Sequence, residues 1–267
     1  EHTTVGLMAE SERVERPSQR HSFARTAVVW EKLQPLLVGS PNPPGSPKAV
    51  DAPRAQRVLD IGGGTGGFAV RIAELGHQVT VIDPSPDALA AADRRAQESG
   101  VAARVVGLQG DLGDLAAGRL DHDLADIDLV LCHEVFGVVE DHRAALSSIA
   151  KVLRPGGALS LLVRQRHAAV LSQAMSGHFQ QARRLLDDPG ADREHRFTAQ
   201  ELRDLLDESG YSLQSLQAVR VFADLVPATI VDLEVGAIAA LVELERAVAE
   251  RPEYLTLATQ MHALAVC

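Results

Sequence analysis

Cysteine and lysine are both scarce in this chain of 267 residues, which holds only Cys132 and Cys267 and only Lys32, Lys48 and Lys151. Two cysteines are too few for a disulfide framework or a cysteine-rich zinc cluster, which fits a reducing compartment and predicts a cytoplasmic protein. The arginine-for-lysine bias carries no function. No apolar run approaches the ~20 residues needed to cross a bilayer, and the stretch from Glu1 to Arg20 is charged, without the apolar core of a secretory signal. No membrane association is expected. Positive charge is in deficit, with 26 basic against 36 acidic residues and a formal charge of −10. That balance argues against broad, nonspecific binding to nucleic acid and against DNA as a partner, while leaving room for a local basic site. The histidines show no H-E-x-x-H spacing, so no metal site is expected. What the chain has is an ordinary globular composition, 46% apolar and 23% charged, with length for one large α/β domain or two small ones.

Apolar residues at Phe23, Ala27, Trp30 and Leu33 recur at helical spacing over 23–38. Pro41, Pro43, Pro44, Pro47 and Pro53 follow, predicting a stiff connector over 39–54 between an N-terminal helical cap (1–38) and the main domain (55–267). From Arg57 short apolar runs alternate with helical segments, the pattern of βαβ units around a parallel sheet. Strands are expected at 57–61, 78–82, 103–108, 127–132 and 158–163, with helices at 66–75, 86–99 and 141–153. A helical insertion is expected at about 168–197, closing in a turn at Asp187-Asp188-Pro189-Gly190. Thr198 and Glu201 form a capping box for the next helix. A sixth strand is expected at Val219–Phe222, an acidic amphipathic helix at Ile230–Glu250 and a last strand at Leu257–Val266.

The strongest motif is Val58-Leu59-Asp60-Ile61-Gly62-Gly63-Gly64-Thr65-Gly66-Gly67, a buried strand entering a glycine turn and then a helix. Glycine lets a ligand approach the backbone, and the helix start offers N–H groups to a carboxylate or phosphate. Asp83 ends the second strand, where a carboxylate can accept both hydrogen bonds of an adenosine ribose. Gly62, Gly64 and Gly67 also satisfy G-x-G-x-x-G, so a nicotinamide-dependent oxidoreductase stands as an alternative to other adenosine cofactors. A non-catalytic cofactor-binding or RNA-binding regulator is a third.

Asp60 before the glycines, Gly110-Asp111-Leu112 after the third strand and Leu153-Arg154-Pro155-Gly156-Gly157 before the fifth together resemble class I S-adenosylmethionine-dependent methyltransferases. The resemblance implies a Rossmann-like fold, α/β with a mostly parallel seven-stranded sheet and helices on both faces. It also implies S-adenosylmethionine as cofactor, with Gly62, Gly63 and Gly64 at its methionine moiety, Asp83 at the ribose and Asp111 at the adenine. Further stretches resemble the bacterial tRNA 5-carboxymethoxyuridine methyltransferases: Arg25 to Trp30, Cys132-His133-Glu134-Val135, Val219 to Asp224 and Tyr254 to Leu257. By that similarity Arg25 closes over the cofactor carboxylate and His133 lines the cofactor pocket. The acceptor is then an oxygen, and a carboxylate in particular, of a modified tRNA uridine or a small metabolite. Two features depart from that family: an acidic Asp187-to-Asp192 stretch stands in place of a lysine-rich loop, and Thr259 in place of an arginine.

Arg164, Arg166 and His167 follow the fifth strand at the edge where doubly wound sheets bind ligands, and are candidates to hold an anionic substrate and assist catalysis. His133 and Glu134, at the end of the fourth strand, are candidates to assist proton transfer should the acceptor be a hydroxyl or amine. Arg220 is a substrate candidate by its family position. Glu134 reads as a loop acid and Cys132 as a core residue.

Overall fold

The computed structural model describes residues 17–38, 54–120, 122–188, 194–227 and 236–267, with the backbone alone for 17–25. The proline connector, most of the Asp187-to-Asp192 stretch, residues 228–235 and the side chains of Phe23 and Arg25 therefore lie outside the described residues. Seven strands form one sheet in the order β3-β2-β1-β4-β5-β7-β6. They are β1 (Arg57–Ile61), β2 (Gln78–Asp83), β3 (Val105–Gln109), β4 (Ile127–His133), β5 (Leu153–Arg164), β6 (Ser212–Val219) and β7 (Gln260–Val266). β1 to β5 pair in parallel, whereas β7 is antiparallel to both β5 and β6. The first four strands, and the helices that follow β1 and β2, fall within two residues of their expected bounds, whereas the short helix Leu112–Ala116 after β3 is not among the expected elements.

Alternation along the strands splits the core in two. On one face Val58, Val79, Val81, Leu129, Leu131 and Leu162 pack under α1 (Pro17–Val38), α2 (Gly67–Glu74) and α3 (Pro86–Glu98). On the other, Leu59, Ile61, Val130, Cys132, Leu159 and Leu161 pack with α5 (His142–Val152) and α8 (Ala199–Glu208). Further helices in the order are α4 (Leu112–Ala116), α6 (Arg166–Met175) and α7 (Phe179–Asp187). α1 is fixed by Leu33 and Leu37, both fully buried, by the Arg71 guanidinium 3.8 Å over the Trp30 ring, and by a Lys32–Glu250 ion pair of 3.0 Å at the end of α9 (Ala237–Ala249).

Two expectations are corrected. The sixth strand is Ser212–Val219, not 219–222. Polar residues at 212, 214, 215 and 217 suit an edge strand, and the apolar Val219, Val221 and Phe222 that drew attention instead form its end and the turn beyond. The Arg154-to-Gly157 turn does not precede β5 but bulges within it. Ile127 pairs with Leu153 and Leu129 with Ala158, so five positions of β5 pass two of β4. Gly156 supplies the positive φ of +73° the bulge needs, and the Arg154 Nε–H donates to Asp128 at 2.6 Å to hold it.

Candidate active site

The carboxyl ends of β1 to β4 bring Asp60, Gly62, Gly63, Gly64, Asp83, Gly110, Asp111 and His133 to one edge of the sheet. After Ile61 the backbone reverses through Gly62 and Gly64, at φ +71° and +53°. A side chain at Gly62 would run into Val135, and one at Gly63 would stand 2.6 Å from an Asp60 oxygen. The absence of Cβ atoms is thus required twice over, by conformation and by the closeness of the β4 loop.

Asp83 is nearly buried, and each of its oxygens accepts one backbone hydrogen bond, from Gly64 and from Ser85, both at 2.9 Å. A carboxylate offers about four lone-pair sites, so the side chain is oriented with two still to give, which suits a ribose diol. The helix α3 is capped by Ser85 itself, whose hydroxyl accepts from the Ala88 N–H. Capping is therefore not what Asp83 is for. The Gly110 N–H donates to the Asp83 carbonyl at 3.2 Å, tying the β3 loop to this site. Asp111 uses one oxygen to cap α4, accepting from the Asp114 N–H at 2.9 Å, and is otherwise exposed. Burial, and secondly the charge of Asp83, raise the Asp60 pKa to about 7.

His133 is bonded through Nε2 to the Ser160 hydroxyl at 2.8 Å, and the same hydroxyl meets His262 Nε2 at 2.8 Å. Burial pushes the His133 pKa down to about 4 and that of His262 to about 3. A ring that stays neutral so far into the acid range is a weak base, so proton abstraction, one of the roles expected of His133, is poorly served. The edge of Phe68 packs on it at 5.0 Å between ring centres.

A second group gathers at the ends of β4, β5, β6 and β7. Glu134 receives a hydrogen bond from the Gln260 amide and lies 3.8 Å from Arg164 and 3.7 Å from Arg220. Arg164 also pairs with Glu194 at 3.2 Å, and Arg220 with Asp224 at 2.8 Å. Glu134 and Arg220 both hold φ +60°, a conformation uncommon for side-chain-bearing residues. The turn carrying Arg220 is anchored by Glu245, which is buried and accepts the N–H groups of Val221, Phe222 and Ala223 at 2.7–3.0 Å.

Arg166 and His167 part company with Arg164. The Arg166 guanidinium is nearly buried, bonded to the Arg196 carbonyl and to Glu201 in the cap of α8, so it braces two helices rather than facing an open edge. His167 is exposed on the first turn of α6, its Nδ1 3.4 Å from the Gln165 amide. Ser160, Gln260, His262 and Glu245 are not singled out by sequence as functional, and Glu134 reads there chiefly as a loop acid. Gln260 and His262 fall inside the expected last strand, and it is the reversed direction of β7 that brings them to this edge.

A parallel sheet extended by an antiparallel seventh strand, a glycine turn after β1 and acids after β2 and β3 define a class. The chain belongs to the class I S-adenosylmethionine-dependent methyltransferases. The family described as "Methyltransferase domain" matches residues 59–159. Over 250 residues the chain is 30% identical to the tRNA 5-carboxymethoxyuridine methyltransferase of Escherichia coli (strain K12), covering 90% of this chain and 87% of that protein. It is 36% identical over 127 residues to the ubiquinone biosynthesis O-methyltransferase of Xanthomonas axonopodis pv. citri (strain 306), covering 47% of this chain and 50% of that protein. In fold it is similar to the S-adenosylhomocysteine-bound magnesium protoporphyrin IX methyltransferase from Synechocystis PCC 6803, with TM-score 0.55, 16% identity and coverage of 93% and 84%. The oxidoreductase and non-catalytic alternatives give way to a methyltransferase with S-adenosylmethionine as its cofactor. Among the described residues no helix is long and apolar enough to cross a membrane.

Proposed function

We propose that this methyltransferase esterifies a carboxylate, and that the carboxylate is that of a 5-carboxymethoxyuridine in tRNA. The observation that carries the reading is the convergence of Arg164 and Arg220, from the ends of two strands, on a single carboxylate beside the cofactor turn. Guanidinium pairs of this kind are suited to orienting a carboxylate. The likeness to the Escherichia coli tRNA enzyme along nine-tenths of the chain is what favours that acceptor.

In this reading Gly62, Gly63 and Gly64 receive the methionine moiety of the cofactor, Asp83 its ribose and Asp111 its adenine, with Arg25 and His133 closing the pocket. When bound, the cofactor supplies an electrophilic methyl group on a sulfonium. A carboxylate is already ionised at neutral pH, so no base has to be found. Arg164 and Arg220 hold the acceptor oxygen in line, and fixing that geometry contributes several kcal/mol, within the roughly 7–11 available to well-oriented reactants. Arg166 is left out of this set because its donors are engaged elsewhere.

The test is transfer of labelled methyl from S-adenosylmethionine to tRNA carrying 5-carboxymethoxyuridine. Label should enter RNA, be released by mild alkali as an ester, and be absent with tRNA lacking the carboxymethoxy group. A second acceptor, a small carboxylic acid, is favoured by one feature: at the end of α7 the exposed Asp187 and Asp188 stand where the tRNA family is lysine-rich, and Asp187 pairs with Arg183, so positive charge for phosphates is reduced there. Label found in the small-molecule fraction of a cell extract, and not in its RNA, would select that acceptor.

A further inference from the structure

Resting on the carboxylate reading above, we infer that Glu134 is an internal stand-in for the acceptor carboxylate, occupying the Arg164–Arg220 fork until the substrate displaces it, and that it thereby selects against neutral acceptors. The fork is already filled by a carboxylate of this chain, with one guanidinium toward each of its oxygens: Arg164 faces Oε2 and Arg220 faces Oε1. At 3.8 and 3.7 Å these are loose ion pairs, longer than the 2.7–2.9 Å of a charge-assisted hydrogen bond. The Glu134 side chain is partly exposed, at 44%. It leaves by giving up the Gln260 hydrogen bond and rotating into solvent, while its backbone is fixed independently. The Glu134 N–H donates to the Leu162 carbonyl at 2.9 Å, and the neighbouring Val135 packs against Gly62.

Charge explains why exchange is selective. The fork carries two positive charges, and Glu194 and Asp224 each pair with one of its arms. Exchanging Glu134 for an acceptor carboxylate leaves the local charge unchanged, so both states are tolerated. A neutral acceptor offers no such exchange and leaves the fork closed by Glu134. The positive φ of Glu134, repeated at Arg220 across the fork, marks a conformation held by its surroundings, as is common where two states compete.

The test reads the fork directly, without regard to which acceptor is methylated. Binding of trifluoroacetate, a small carboxylate, is followed by fluorine NMR on the protein saturated with S-adenosylhomocysteine. Glu134→Gln, which removes the competing charge and keeps an acceptor for Gln260, should bind the probe at least five-fold more tightly than the unaltered chain. Glu134→Gly, which adopts φ +60° without strain, should do the same and covers the case in which the glutamine variant folds poorly. The gain should vanish when Arg220→Ala is added. Unchanged or weaker binding in both Glu134 variants, or a gain that survives Arg220→Ala, overturns the inference. Failure of tRNA methylation alongside the expected gain would instead reject the acceptor and leave the fork standing.

Discussion

Asp83 shows how much a single side chain can be prepared before any ligand arrives, since Gly64 and Ser85 fix both of its oxygens while leaving lone pairs open. Hydrogen bonds to a charged group contribute about 1.5–3 kcal/mol each, so losing two to the ribose in Asp83→Ala should weaken S-adenosylmethionine binding by about a hundred-fold or more in calorimetry, and the melting temperature should fall as the Gly64 and Ser85 N–H groups lose their acceptor. Asp60 makes a prediction about pH. Its folded pKa, about 7, lies above the ordinary 3.8, so ionisation costs the fold stability as pH rises through that interval. A cation bound next to it reverses the preference and favours the carboxylate. Cofactor binding should therefore release a proton near neutrality and tighten between about pH 6 and 8, whereas Asp60→Asn should bind with a flat profile over that window.

Among the elements, the β6 turn and the β5–α6 junction separate residues proposed to meet substrate from residues that hold those in place. Glu245 gathers three backbone donors behind Arg220. Glu245→Ala leaves them buried and unpaired, at about 1–3 kcal/mol for each unsatisfied group; the melting temperature should fall by several degrees and the acceptor KM should rise together. Arg166→Ala should lower the melting temperature through loss of the Glu201 and Arg196 contacts while leaving KM close to its starting value, and an unchanged melting temperature with a raised KM would return Arg166 to the substrate side. These cases also show where sequence was legible. The glycine turn, Asp83 and the first strands announce themselves because local rules set them: buried strands read as apolar runs, and a tight turn must use glycine. Arg164 and Arg166 look equivalent two residues apart, and only Glu201, 35 positions away, tells them apart. Glu134 reads as a loop acid until strands from four parts of the chain are brought side by side, and the edge strand β6 hides because its exposed face is polar.

At the scale of the whole molecule, the titration of buried groups sets an acid limit. His133 and His262 are held neutral down to about 4 and about 3, well below the 6.5 of a free ring, so the fold loses stability as pH falls from 6.5 through that range. Asp60 acts in the opposite sense over the same interval, and two histidines outweigh one acid. His77, His142 and His195 are also held below the free-ring value by burial, so unfolding near pH 5 should take up at least about one proton net, and the melting temperature should decline steadily from pH 6.5 to 4.5; a melting temperature rising towards acid would contradict the burial of the rings. The strand order carries a consequence for how the molecule is made. β7 lies between β5 and β6 yet is synthesised after both. Until it emerges from the ribosome, two strands wait with unpaired N–H and C=O rows turned toward an empty slot, a template for sticking to other chains. Speed of translation through residues 220–266, and shelter of the nascent chain during that interval, should govern yield more than the equilibrium stability of the finished sheet.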